Sequence, residues 1–140
     1  MLVGRGELVT RIDWVIASAR AGAGATLLLR GDPGTGKSVL LATAREAAAA
    51  AGLRVVATSG VEDERELPYA GLHALLRALE SEAVDLVPAH RAALDGALGR
   101  VAGPPPGALV VATAALAVVD ARSAQTPLLL AVEDLHWVDA

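Results

Sequence analysis

The feature that most constrains the fold of this chain is an octapeptide that fits the pattern G-x-x-x-x-G-K-[ST] at every position. Its residues are Gly31, Asp32, Pro33, Gly34, Thr35, Gly36, Lys37 and Ser38. It follows an apolar run at 26–30 (TLLLR), which is typical of a strand buried on both faces of a parallel sheet. It precedes a segment at 39–51 that is rich in helix-forming residues. This context predicts a phosphate-binding loop. The alternative is a glycine-rich turn that only caps a helix.

The residue types of the octapeptide suit a phosphate ligand. Backbone N–H groups in such a loop and at the following helix N-terminus bind phosphate oxygens only where side chains stay away, which the glycines allow. Lys37 is the single lysine of the chain, and its compact ammonium can reach between β and γ phosphates as a point charge. Ser38 offers a hydroxyl to Mg²⁺, an ion that keeps most of its waters.

An acidic pair follows the last apolar run of the chain. The run at 127–132 (PLLLAV) predicts a buried strand, and Glu133 and Asp134 come directly after it. Open α/β sheets bind ligands at the carboxyl ends of their strands. In such a site Glu133 would hold Mg²⁺ through water, and Asp134 would orient or activate the attacking water. The alternative is a pair of carboxylates that merely solvates a strand end.

Apolar spacing places further elements along the chain. A first helix is predicted from Glu7 to about Arg20, and a strand from Leu53 to Thr58 precedes a polar loop at 59–67. Three more helices are predicted near 68–79, 88–98 and 109–122, the last with one side formed by Leu109, Ala112, Leu116 and Val119. Strands separated by helices predict an α/β fold with a parallel sheet flanked by helices.

Composition excludes several classes of function. The net charge of −4 without a basic run argues against direct nucleic-acid binding by this segment and against an anionic membrane surface. No cysteine is present, so disulfides and thiolate metal sites are excluded. The charged start of the chain is unlike a signal peptide, and the uncharged stretch at 101–119 is broken by prolines and too short to span a bilayer. We therefore expect a cytoplasmic protein.

Four blocks of the sequence resemble, in the same order, one family of P-loop proteins. They read LVGRGE, LLLRGDPGTGKS, GVEDERELPYAGLHALLRAL and LLLAVEDLHWVDA. Together they are similar to the N-terminal ATPase module of large LuxR-type bacterial transcription regulators, a branch of the STAND/AAA-like P-loop NTPases. The glycine loop is shared by many P-loop families, whereas the last two blocks are more particular to this one.

The resemblance implies binding of ATP and Mg²⁺ with slow hydrolysis, used as a switch that controls self-association and, through a distant helix-turn-helix, DNA binding. It puts Lys37 and Ser38 in the Walker A motif and Glu133 and Asp134 in Walker B. It also puts Gly4 and Arg5 in a motif near the nucleotide base. Gly6 stands where the family usually has an acid, and Glu133 stands where it often has Asp.

The resemblance further implies that residues 1–140 form a partial AAA-like ATPase domain. Relatives continue past the Walker B strand with more strands, a lid and a DNA-binding region, so we expect a P-loop fold truncated after that strand. The missing Asn excludes the N-K-x-D motif of a guanine site and disfavours a GTPase. Two other functions stay open, namely a P-loop kinase or phosphotransferase, and an interaction fragment that keeps the motif without binding nucleotide.

Overall fold

A computed structural model of the chain describes residues 6–64, 67–79 and 84–138. It divides into two compact units. The first unit comprises Met1–Val55 with Thr126–Ala131, and the second comprises Val56–Gln125 with Val132–Ala140.

Two helices precede the first strand of the described residues, and three more lie between the first and second strands. The α-helices are α1 (Gly6–Arg20), α2 (Lys37–Ala50), α3 (Ala70–Leu79), α4 (Pro88–Ala97) and α5 (Ala108–Ser123). The strands are β1 (Arg54–Ser59) and β2 (Leu128–Glu133), and short 3-10 turns cover Glu62–Glu64 and Leu135–Trp137. These bounds confirm the five helices and two of the three strands that the sequence predicts.

β1 and β2 form a two-stranded sheet. The Arg54 N–H donates to the Pro127 carbonyl at 2.8 Å, and the Gly60 N–H donates to the Glu133 carbonyl at 2.9 Å. Both strands advance by the same number of residues between these two bonds, so they run parallel. The connection between them contains α3, α4 and α5, as a parallel pair requires. The α/β fold with a small parallel sheet flanked by helices is thereby confirmed.

The core of the first unit forms where α1 packs against α2. Its buried side chains are Ile12, Ile16, Leu40, Ala48 and Leu53. Ile12 and Ile16 lie one turn apart on α1, which places both on the face turned toward α2. The helical spacing predicted for the first helix is therefore the one that builds this core.

The strand predicted at 26–30 is wrong. Residues 23–32 have no regular secondary structure, although Leu27 and Leu29 pack partly buried against the α1–α2 core. Leu28 between them is 54% exposed, so the segment is not buried on both faces. The apolar run brings the segment to the core, but a strand also needs a hydrogen-bonded neighbour, and the sheet of the described residues contains only β1 and β2.

The second unit packs α5 against α3 and α4. The buried side of α5 consists of Val111, Ala114, Val118 and Arg122. The apolar side predicted from the sequence is a different one, because its residues Leu109, Ala112 and Leu116 are exposed. Since apolar residues occur on every side of α5, apolar spacing alone could not select the buried side. None of the helices in the described ranges has the length and apolar character needed to traverse a membrane.

Candidate functional site

The octapeptide turns directly into α2, as the sequence predicts. Gly36 is the N-cap residue with φ 81° and ψ 28°, a left-handed conformation that costs an L side chain roughly 1–2 kcal/mol. The Leu40 N–H bonds to the Gly36 carbonyl at 3.1 Å, so the N–H groups of residues 37–39 precede the first bond of the helix ladder. Glycine at this position therefore lets the chain enter the helix with its leading amide groups uncovered.

The start of α2 carries an unneutralised positive end of the helix dipole. No side chain caps this end by a hydrogen bond, and the first turn contains no acidic residue. Uncapped N–H groups and the aligned peptide dipoles together attract an anion. This end of α2 thus has the electrostatic character that a phosphate site needs.

Lys37 folds back over the loop that precedes it. Its ammonium donates to the Gly31 carbonyl at 2.8 Å and to the Asp32 carbonyl at 2.9 Å. The side chain is half-buried, and two of the three ammonium donors are engaged in these bonds. The two bonds hold the single lysine of the chain at the loop and tie the beginning of the octapeptide to its end.

Hydrogen bonds within the octapeptide close the loop on itself. The Thr35 hydroxyl donates to the Asp32 carbonyl at 2.8 Å, and the Thr35 N–H bonds to the same carbonyl at 3.3 Å. A Cβ atom on Gly31 would lie 2.9 Å from the Thr35 hydroxyl oxygen, so a larger residue there would displace this hydroxyl from the Asp32 carbonyl. Pro33 lies in the turn so formed, where its fixed φ is favourable. The backbone of the loop is therefore shaped before any ligand arrives.

The donor set around the loop fits a magnesium nucleotide better than a bare metal ion. Ser38 lies exposed in the first turn of α2 with its hydroxyl accessible. Among the described residues, no group of three or more His, Asp or Glu side chains comes together to hold a metal. Mg²⁺ at phosphate sites takes few protein ligands and the rest from phosphates and water, which agrees with one hydroxyl at this helix.

The acidic pair ends β2 in the second unit. Glu133 is its last residue and is half-buried, and Asp134 follows with φ 49° and ψ 47°. Asp is one of the few residue types that tolerates this left-handed conformation, because its short side chain bonds locally. The Ser59 hydroxyl lies 3.4 Å from the Asp134 Oδ2. Asp134 therefore lies at a turn, at the carboxyl edge of the sheet.

Ser59 and Gly60 lie against this turn but were not predicted from the sequence. A Cβ atom on Gly60 would collide with main-chain atoms of Asp134, Trp137 and Val138. Both residues come at the carboxyl end of β1, which neighbours β2 in the sheet. A signal was present, since polar and small residues that directly follow a predicted parallel strand lie at the ligand-binding edge.

The predicted site residues are distributed over both units. Residues 31–38 belong to the first unit, and Glu133 and Asp134 belong to the second. Gly4 and Arg5, predicted near the nucleotide base, lie outside the described residues.

A family model described as AAA ATPase domain matches residues 1–140. Neither a curated protein nor a solved structure matches the chain. The family match agrees with the α/β fold and with the glycine loop at the start of α2.

Proposed function

The chain belongs to the AAA ATPase domain family and is a nucleotide-binding module of that kind, and from this premise we propose that residues 31–38 bind the triphosphate of ATP together with Mg²⁺. The observation that carries the proposal is the geometry of the loop. Left-handed Gly36 uncovers the first amide groups of α2, and Lys37 is held over the same loop by two carbonyls. A triphosphate is the ligand whose negative charges and oxygen acceptors match both groups.

The proposal gives Lys37 a second set of partners. In the structure its ammonium bonds to the carbonyls of Gly31 and Asp32, which are neutral acceptors. A phosphate oxygen carries negative charge whereas these carbonyls are neutral, so the ammonium would favour a bound phosphate by Coulomb attraction. Lys37 is long and flexible enough to exchange these partners while the loop backbone stays in place.

Ser38 and Glu133 would hold the magnesium ion, Glu133 through water, and Asp134 would orient or activate the attacking water. When bound, Mg²⁺ neutralises charge on the phosphates. The exposed hydroxyl of Ser38 in the first turn of α2 supports the first assignment. The turn that places Asp134 at the carboxyl end of β2 supports the last.

The finer part of the proposal rests on the resemblance in sequence. We propose a STAND/AAA-like signalling module related to LuxR-type regulators, with slow or absent hydrolysis, within a partial ATPase domain over residues 1–140. Gly4 and Arg5 would lie near the base. The module would work in the cytoplasm, without contacting nucleic acid itself, and would self-associate. The blocks LVGRGE, ELPYAGLHALLRAL and EDLHWVD support this relationship, and the net charge of −4 supports the lack of nucleic-acid contact.

Isothermal titration with MgATP tests the proposal. We expect the unaltered chain to bind and Lys37→Ala to lose about tenfold or more in affinity, because charge-assisted bonds to phosphate are removed. Arg45→Ala is the matched control, since it removes an exposed cation from the same helix away from the loop. Equal affinity of the unaltered chain and Lys37→Ala would overturn the proposal.

A second variant separates the metal from the ammonium. Ser38→Ala leaves Lys37 and the loop carbonyls in place and removes only the hydroxyl assigned to Mg²⁺. We expect it to weaken binding of ATP in the presence of Mg²⁺ and to leave metal-free binding unchanged. An equal loss in both conditions would contradict the metal assignment.

A further inference from the structure

One side of α4 borders a cleft of about 480 Å³, a volume usual for a small-molecule site. The residues that line it are Leu86, Pro88, Arg91, Ala92, Asp95 and Val101. Four of them recur along α4 at spacings of three and four, so they share one side of the helix. The buried residues Ala93 and Leu94 lie on the opposite side. The cleft is therefore built on the side of α4 that the core leaves open.

The first wall of the cleft is fixed by the turn that ends α4. Gly99 has φ 66°, and its N–H donates to the Gly96 carbonyl at 3.2 Å. The Arg100 N–H donates to the Asp95 carbonyl at 2.8 Å. Two such bonds around a left-handed glycine form a Schellman motif, which reverses the chain at a helix end. The Arg100 guanidinium also pairs with the Asp95 carboxylate at 3.2 Å, so the next residue, Val101, is held beside α4.

The second wall is fixed by Arg91. Its Nη2 donates to the carbonyl of Val84 at 2.6 Å, and Val84 is buried. Leu86, two residues later, lines the cleft, whereas Asp85 between them is exposed and does not line it. Both walls are thus tied to α4 by hydrogen bonds, and the cleft is shaped without a ligand.

The cleft combines apolar walls with one cation that has a neutral partner. Arg91 bonds to a carbonyl, and within the described ranges no carboxylate comes within ion-pair distance of it. The other charge of the lining, on Asp95, is paired with Arg100. Val101 is 55% exposed, so a ligand that covers it removes apolar surface from water. The lining therefore suits a molecule with an apolar body and a negative end.

We propose that this cleft is a second ligand site, which binds a small amphipathic carboxylate. Arg91 uses one of its five N–H donors on Val84, and a guanidinium can offer two others to the two oxygens of a carboxylate. The apolar body of the ligand lies against Leu86, Ala92 and Val101. A cationic ligand is repelled by Arg91, and a neutral one gains nothing from its charge.

The second site is independent of the proposed nucleotide site. All of its lining residues belong to the second unit, whereas the loop at 31–38 belongs to the first. Lys37→Ala should therefore bind the carboxylate as the unaltered chain does. Failure of ATP binding would leave this proposal standing, and failure of carboxylate binding would leave the nucleotide proposal standing.

Nuclear magnetic resonance of leucine and valine methyl groups tests the site, with octanoate and phenylbutyrate as probes. We expect the methyl signals of Leu86 and Val101 to shift with a Kd of about 1 mM, since a ligand of about ten non-hydrogen atoms gains little binding free energy. The methyl signals of Val39, which is exposed on α2 in the first unit, should stay in place.

Arg91→Gln separates the charge from the shape of the cleft. Glutamine keeps an amide donor for the Val84 carbonyl but removes the cation. We expect the Kd for octanoate to rise about tenfold, because a charge-assisted bond is lost, and the Kd for neutral octanol to stay unchanged. Arg77→Gln is the matched control, since Arg77 is exposed in the last turn of α3 and does not line the cleft.

A second variant fills the cleft. Ala92 is exposed on α4, so Ala92→Phe should keep the helix content of the unaltered chain by circular dichroism. The larger side chain occupies the space of the apolar body, and we expect neither octanoate nor octanol to bind. Unchanged octanoate binding by Ala92→Phe would place the site elsewhere.

The same titrations can overturn the proposal. If neither acid shifted the methyl signals of Leu86 and Val101 at concentrations well above the expected Kd, the cleft would not be a carboxylate site. Equal affinity for octanoate and octanol in the unaltered chain would contradict recognition of the negative end. Loss of both probes in Arg91→Gln would assign Arg91 to the wall alone and contradict its contact with the carboxylate.

Discussion

Gly60 is the residue at which the described structure leaves the least room for a side chain. A Cβ atom there would meet main-chain atoms of three residues in the turn after β2, Asp134 among them. Main-chain atoms cannot rotate away as a flexible side chain can, so the turn itself would have to move. The position of the Asp134 carboxylate therefore depends on a residue that supplies no chemistry.

We predict that Gly60→Ala destabilises the chain by about 1–3 kcal/mol, as overpacking of a filled site does. The matched control is Gly107→Ala, because a Cβ there meets nothing within 4 Å and its φ is −61°. Thermal denaturation followed by circular dichroism gives both values. If Gly60→Ala and Gly107→Ala had the same melting temperature, the close packing of this turn would be contradicted.

Asp134 is predicted to act on hydrolysis and not on binding. Asn tolerates the left-handed conformation of this residue almost as well as Asp, so Asp134→Asn should keep the turn and remove the charge. We expect MgATP affinity within about twofold of the unaltered chain and loss of any slow hydrolysis, since a water-orienting group acts on the attacking water. Titration and a phosphate-release assay measure the two effects, with Asp13→Asn on α1 as the exposed control.

Among single residues, those within a local motif could be predicted. The octapeptide pattern specifies Gly36 and Lys37 because the phosphate loop is built from consecutive residues, and the structure gives both the expected local geometry. Ser59 lies 75 positions before Asp134 in the chain, and their contact depends on the pairing of β1 with β2. Sequence patterns report such long-range contacts poorly, so the contact between Ser59 and Asp134 emerges only in the fold.

At the scale of helices and strands, amphipathic spacing succeeds where one face is apolar. α1 buries Ile12 and Ile16 one turn apart, in agreement with its helical spacing, whereas α5 has apolar residues on all sides and its buried face differs from the predicted one. The run at 26–30 is apolar enough for a strand but lacks a hydrogen-bonded neighbour among the described residues. Element type follows from local pattern, but pairing and burial also depend on partners far away in sequence.

The packing of α2 gives a prediction at this scale. Leu40 is 4% exposed within the α1–α2 core, and its neighbour Val39 is 56% exposed on the same helix. We expect Leu40→Ala to lower the free energy of unfolding by about 2–5 kcal/mol, since a buried leucine leaves a cavity. Val39→Ala should change it by less than about 0.5 kcal/mol. Urea denaturation of the two variants measures the difference, and equal values would contradict the assigned face of α2.

For the whole molecule, membership of the AAA ATPase domain family over residues 1–140 gives the glycine loop a functional context. The local geometry adds what the family alone does not, namely an uncapped α2 N-terminus and an ammonium held at the loop by neutral carbonyls. Both belong to the first unit. The central claim is that the main chain and the single lysine of this segment together form the phosphate site.

Selective ¹⁵N-glycine labelling with nuclear magnetic resonance tests that claim most directly. On titration with MgATP we predict that the amide signals of Gly34 and Gly36 move to saturation, because their N–H groups lie in the phosphate loop. The signals of Gly99 and Gly107, in the second unit, should stay nearly unchanged. In Lys37→Ala the same shifts of Gly34 and Gly36 should need about tenfold or more MgATP. If the amide signals of Gly34 and Gly36 stayed in place while those of other glycines shifted, the proposed phosphate site would be contradicted.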